Sequence, residues 1–284
     1  MHQSTMLALK AAIAGGQATM MVYNRGEVKV MLKNDQSPLT EADIESNLVI
    51  ERLLQTSNLP VLSEEGKLLS YEERKGWHTL WIVDPIDGTK EFVKRSGEFT
   101  VNIALVEDGK PILGVIVAPA LNTVYWGDES GAYKSMLHKN WLKKTAMDVV
   151  TDLSPIKLPC KTTDQFTVVR SVSHYSDETK EYMQMLDEEI PNSASLSIGS
   201  SLKMCVLAEG GAHLYPRLGP TMEWDTAAGQ AILEASGGQL FDWTTKESLR
   251  YNREELLNPW FIATAVNHKP LDYWFSKEEE ESED

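Results

Sequence analysis

Cysteine is nearly absent, with Cys160 and Cys205 the two in 284 residues. Their separation fits neither a metal-binding nor a redox motif, which excludes a disulfide-built scaffold and a thiolate metal centre. Both are expected to be reduced core thiols of a cytoplasmic protein. Long apolar runs are also missing. No stretch approaches the roughly 20 residues a membrane-spanning helix needs. The apolar opening segment MHQSTMLALKAAIAGGQATMM has no basic flank and carries helical spacing, so it reads as an amphipathic helix and not an export signal. Positive charge is the third shortage. Lys and Arg number 27 against 42 Asp and Glu, a formal net charge of -15, which argues against binding nucleic acid through a basic face. Six acids crowd residues 278–284, as in a solvated, frayed tail. An acidic protein that handles an anion needs local cations, so divalent metal ions are the expected partners.

What remains is an ordinary globular composition, 42% apolar and 24% charged, without internal repeats. The spacing predicts a helix over 3–24 with Leu7, Ala11, Ala14, Ala18 and Met21 on one face. A second helix opens at Thr40, with Ile44, Leu48, Ile50 and Leu53 at helical spacing. From residue 79 the period changes. TLWIV is a short strand, FTVNIALVEDGKPILGVIVAPA a hairpin turning at Asp108–Gly109, and TVYWGDESGAYK another hairpin. Later, FTVVRS reads as a strand and DETKEYMQMLDEE as a helix. SIGSSLKMCVLAEGGAHLYP reads as turn, helix and strand, and DTAAGQAILEA as a helix stopped by Gly237–Gly238. Mixed hairpins and helices make the class α+β with mixed or antiparallel sheets. The expected division is 1–150, 151–275 and an acidic tail 276–284.

The strongest chemical signal is Asp84-Pro85-Ile86-Asp87-Gly88-Thr89. Two carboxylates stand three apart after an apolar strand. Proline stiffens the turn, and glycine admits a close ligand. Hard oxygen donors suit Mg²⁺, although the same residues also make an ordinary polar turn. Glu64 and Glu65 end another apolar run, as surface acids also do. Asp225 opens a helix, where it would suit either an N-cap or a metal ligand. Acids from these three places make a site for two or three metal ions if the fold gathers them.

The segments SEE, WIVDPIDGTKEF and EWDTAAG, in this order, resemble the inositol monophosphatase superfamily of Mg²⁺-dependent, Li⁺-sensitive phosphatases. SPLTEAD, DGTKEFVKRSGEFTVNIALVEDGKPILGV, SIGSSLKMC and LYPRLGPTMEWDTAAG are similar to its CysQ-type 3′(2′),5′-bisphosphate nucleotidase branch. The likeness runs from about residue 6 to about residue 265. It implies a layered α/β/α/β/α fold. It also implies hydrolysis of the 3′-phosphate of adenosine 3′,5′-bisphosphate (PAP), extending to the sulfate-bearing analogue PAPS, by water activation at two or three Mg²⁺ ions. Glu64, Asp84, Asp87, Asp225 and the Ile86 carbonyl would hold metal, and Gly88 and Thr89 the scissile phosphate. Thr89, with Glu64 and Asp43, would orient and deprotonate water, although Thr40-x-x-Asp43 also reads as a capping box. His174, Ser200, Lys203 and Arg217 would contact the nucleotide, and Asp225 would touch the substrate as well as metal. Glu223 departs from the pattern by adding negative charge beside the polyanion, so it either points away or shifts metal affinity. Inositol phosphate or a sugar bisphosphate is the alternative substrate. A non-catalytic Mg²⁺- or nucleotide-binding protein is the contrasting class, against which the intact Asp84, Asp87, Thr89 and Asp225 argue.

Overall fold

The structure is a computed structural model that describes residues 2–26, 29–32, 38–67, 69–171 and 176–273. The chain begins with α1 (Gln3–Tyr23), followed by the short antiparallel pair β1 (Val30–Leu32) and β2 (Pro38–Thr40) and by α2 (Glu41–Leu54). Thr40 caps α2 through its hydroxyl, which accepts from the Ala42 amide at 3.2 Å. Next come β3 (Val61–Ser63), α3 (Tyr71–Arg74), β4 (Thr79–Asp87), α4 (Thr89–Val93), β5 (Thr100–Glu107), β6 (Lys110–Ala118), β7 (Thr123–Asp128), β8 (Gly131–Met136), α5 (Ala146–Thr151) and β9 (Ile156–Lys157). Strands β3 to β9 form one seven-stranded sheet in chain order, in which β3 and β4 are parallel and the other neighbours antiparallel.

The second half supplies β10 (Thr167–Ser171), α6 (Asp177–Glu189), β11 (Ala194–Ile198), α7 (Leu202–Glu209), β12 (Leu214–Arg217), α8 (Glu223–Ala235), β13 (Gln239–Asp242) and β14 (Phe261–Thr264). Its five strands run in the order β11-β10-β12-β14-β13, parallel at one side and antiparallel at the other. Three apolar clusters join the layers. Trp81, Val101, Val115 and Trp126 on one face of the large sheet pack on α1 and α2. Leu80, Ala104 and Ile116 on its other face meet α7, α8 and the small sheet. Val168, Leu214 and Ile262 on the far face of the small sheet pack on α6. The order is therefore α/β/α/β/α, as the resemblance implied. Strands such as β4 and β5 are buried on both faces, so their successive side chains feed the two layers on either side.

Several local expectations are corrected. On α1 the buried stripe includes Ala8, Leu9, Ala12, Ile13, Gly15, Gly16 and Thr19, while Met21 is exposed. Small residues, not the bulkiest ones, let α1 lie close to α2. On α2, Ile44 and Leu48 are exposed, and the buried face carries Asp43, Ser46 and Asn47 beside Ile50 and Leu54. That face adjoins the polar strand ends of the site, where Ser46 donates to the Pro85 carbonyl at 3.0 Å. Cys205 is buried as expected, but Cys160 is exposed. Among the described residues, no helix is long and apolar enough to cross a membrane.

Candidate active site

The parallel register of β3 and β4 places the first acids. Ser63 pairs with Val83, so the next residues, Glu64 and Asp84, end up side by side, and the Glu64 amide donates to the Val83 carbonyl at 3.1 Å. The pairing of β4 with β5 shifts register between Asp84 and Asp87. This irregularity swings Asp87 into the same space. Gly88 follows with φ +88, and a Cβ there would lie 3.0 Å from the Glu98 carbonyl oxygen. Glycine thus lets the chain turn sharply into α4.

Asp225 arrives from the other half. Its helix can lie directly on the large sheet because β6 carries Gly114, where a Cβ would stand 2.2 Å from the Ala228 carbonyl oxygen. Asp225 is not the N-cap. It sits in the first turn of α8, and its Oδ2 accepts from the Met222 amide at 2.7 Å. Oxygens of Asp84, Asp87 and Asp225 lie within 4.8 Å of one another. Asp84 is buried, with Oδ1 accepting from the Ile86 amide at 3.0 Å and Oδ2 left without a hydrogen-bond partner. Burial first, then Glu64, Asp87 and Asp225, push the Asp84 carboxyl well above the usual range. Burial, then Asp87 and Glu64, push Asp225 upward as well. An orphaned buried oxygen in a knot of hard, mutually repelling donors fits a divalent cation, which would pair the oxygen and remove the repulsion.

Both sequence readings of Asp43 hold together. Its Oδ2 accepts from the Thr40 amide and hydroxyl at 2.8 and 2.6 Å, completing a capping box. Its Oδ1 faces the Thr89 hydroxyl at 3.2 Å, which also lies 3.3 Å from the Ile86 carbonyl. Burial raises the Asp43 pKa against the opposing bonds from Thr40.

A cleft of about 410 Å³ joins these groups to the second half, and Glu64, Ile86, Asp87, Thr89, Ser200 and Arg217 are among its lining residues. Ser200 holds φ +49, unusual for a residue with a side chain, and its buried hydroxyl has no partner. Lys203 is buried behind it, with Nζ donating to the Ser200 and Ile198 carbonyls and lying 5.6 Å from the Tyr215 ring centre. Burial lowers the Lys203 ammonium to about 8, with Asp87 opposing the shift. Arg217 donates from Nη2 to the Pro220 carbonyl at 2.8 Å, while Nε is buried without a partner. His174 lies outside the described residues.

Glu223 points away from the cleft. It is fully buried and accepts from the Asn252 and Arg253 amides at 2.6 and 3.0 Å. It thereby ties the loop after β13 to the start of α8. Glu223→Ala strands these amides and is expected to destabilise the protein by about 1–3 kcal/mol, visible as a lower thermal midpoint in EDTA. An unchanged midpoint would show that the loop does not need this anchor. Residue patterns alone passed over Ser201 and Asn102. Ser201 donates to Asp87 Oδ2 at 2.6 Å and receives Asn102 Nδ2 at 2.8 Å. A serine ahead of a helix reads as a cap, but Ser201 makes no side-chain cap bond.

The profile of the Inositol monophosphatase family matches residues 1–273. A 3′(2′),5′-bisphosphate nucleotidase CysQ of Salmonella typhimurium is 45% identical over 252 residues, covering 88% of this chain and 94% of that protein. The crystal structure of CysQ from Bacteroides thetaiotaomicron superposes with a TM-score of 0.81 at 43% identity, over 93% of this chain and 98% of that one. The Thermotoga maritima IMPase, at 23% identity, shares the fold with a TM-score of 0.69 over 90% of this chain and 89% of its own. With the metal-ready carboxylates at the same strand and helix ends that carry the sequence likeness, these matches show that the chain belongs to the inositol monophosphatase family.

Proposed function

We propose that the protein is a Mg²⁺-dependent 3′(2′),5′-bisphosphate nucleotidase that converts PAP to AMP and phosphate. The observation that carries this reading is one cleft in which the Asp84, Asp87 and Asp225 cluster meets a cationic wall made by Lys203 and Arg217. The carboxylates suit a metal-assisted reaction at one phosphate. The cations suit a second phosphate on the same substrate, with arginine capable of bidentate contact. An inositol monophosphate has no second phosphate for that wall. The names of the 45%-identical relatives agree with this choice.

Glu64, Asp84, Asp87, Asp225 and the Ile86 carbonyl would hold the metal. When bound, Mg²⁺ supplies Lewis-acid stabilisation of charge at the phosphoryl and leaving oxygens. The amides of Gly88 and Thr89, at the unpaired start of α4, would bind the transferred phosphate. The Thr89 hydroxyl spends its one proton on Asp43 Oδ1 or the Ile86 carbonyl, so it presents lone pairs that orient the attacking water. Asp43, its pKa raised by burial, is suited to take up the water proton through Thr89. The water oxygen bonds phosphorus, the P–O ester bond breaks, and the leaving ribose oxygen takes a proton from solvent water, to which Asp43 returns the proton it received. Ser200, Lys203, Arg217 and the sequence-assigned His174 would hold the nucleotide.

Phosphate release from PAP and from inositol 1-phosphate, each with Mg²⁺ and with EDTA, tests this reading. PAP is expected to turn over at least about tenfold faster in kcat/KM, since a lost charged contact costs over ~1.4 kcal/mol. EDTA is expected to abolish release. Preference for the inositol ester overturns the substrate assignment, and EDTA-insensitive turnover overturns the metal assignment.

A further inference from the structure

Resting on that reading, we infer that Ser201, oriented by Asn102, is the positioning residue through which the second half of the chain holds the metal-binding carboxylate of Asp87 beside the start of α8. Ser201 is buried where α7 begins. Its Oγ stands 2.6 Å from Asp87 Oδ2 and 3.0 Å from the backbone carbonyl of Asp225. One oxygen therefore touches both the strand end that carries Asp87 and the helix start that carries Asp225. A hydroxyl has one proton to give and two lone pairs to accept with. Asn102, itself buried, donates Nδ2 to Ser201 at 2.8 Å. That incoming bond occupies a lone pair and leaves the serine proton for an outgoing bond. The carboxylate is the stronger and nearer of its two acceptors.

Asp87 Oδ2 is held by the hydroxyl, which fixes the orientation of a carboxylate that contributes an oxygen to the cluster. Asn102 pairs across the sheet with Asp84, so one strand position braces the ligand set from below. Ser201 touches neither the reacting phosphate nor the nucleotide in this scheme. Its effect falls on metal affinity, with turnover at saturating metal and the KM for nucleotide largely kept.

Calorimetric titration of Mg²⁺ alone into the full-length protein tests this. Ser201→Ala is expected to weaken Mg²⁺ binding by about 10–100-fold, the usual cost of losing an outer partner of a metal ligand, and Ser201→Thr, which keeps the hydroxyl, to restore it to within about threefold. The PAP assay should show the same rise in the Mg²⁺ concentration needed for half activity, with KM for PAP at saturating Mg²⁺ changed less than about twofold. Circular dichroism in EDTA checks the fold. Should Ser201→Ala fold poorly, Asn102→Ala carries the same test with the same sign. Wild-type Mg²⁺ affinity in a folded Ser201→Ala protein, or an equal loss in Ser201→Thr, overturns the inference alone. A wild-type protein that binds no Mg²⁺ overturns both the inference and the functional reading.

Discussion

Asp84→Asn is expected to cut PAP hydrolysis by more than about 100-fold, beyond the usual loss for an outer partner of a metal ligand, and at the same time to raise the thermal midpoint of the metal-free protein. The two effects share one cause. Asp84 is buried with an unpartnered oxygen beside Glu64, Asp87 and Asp225. Its pKa is therefore raised on folding, so the folded protein holds a proton that the unfolded chain releases. This penalty is absent below the unfolded value of about 4 and grows as pH rises toward the folded value. Asparagine is neutral at every pH and removes the share due to Asp84. At pH 7 in EDTA a gain of about 1–3 kcal/mol is expected, each kcal/mol raising the midpoint by about 2–4 °C in a chain of this size. His213 and His268 act with the opposite sign, because burial lowers their pKa values and acid below about pH 6.5 then costs stability. They are common to both proteins, so the difference isolates Asp84. Mg²⁺ should reverse the ranking, stabilising the wild type by about 2.7 kcal/mol at 100 times its Kd and the variant much less. A lower midpoint for Asp84→Asn in EDTA, or more than a tenth of wild-type turnover, would contradict this account.

Arg217→Ala carries the second large effect. The guanidinium is anchored at Nη2 by the Pro220 carbonyl and keeps a buried, unpartnered Nε. A phosphate dianion can satisfy it, and removing one partner of a buried charge-assisted contact costs about 2–5 kcal/mol. The expected result is a loss of roughly 30-fold or more in kcat/KM for PAP, since every 1.4 kcal/mol is tenfold. For inositol 1-phosphate, which lacks the second phosphate, a change under about threefold is expected. Equal losses on both substrates would assign Arg217 to the fold or to the scissile phosphate, and would leave the nucleotide preference without its main support.

Much of the local structure was legible in the residues. Helix α6 was read at its observed bounds, and the hairpin turning at Asp108–Gly109 and the strand TVVRS stand where the spacing put them. These depend on short-range periodicity and turn chemistry, which a few neighbouring residues determine. The buried faces of α1 and α2 were misjudged for a related reason. Hydrophobic spacing finds bulky residues, but α1 packs through Ala and Gly, and α2 turns polar Asp43, Ser46 and Asn47 inward.

The sequence by itself determined the chemistry available: hard oxygen donors, a glycine turn, a threonine beside a short helix and two cations in the second half. Tertiary structure decided which of these meet. The parallel pairing of Ser63 with Val83 sets Glu64 beside Asp84. Gly114 lets α8 descend until Asp225 reaches Asp84 and Asp87. The loop at Asn252 and Arg253 draws Glu223 away, and Ser201 spans the gap between the halves. Each of these is a long-range contact, set by sheet register and close packing across the fold. Such contacts leave no periodic trace in the chain, because the residues that satisfy one another are neighbours only after folding.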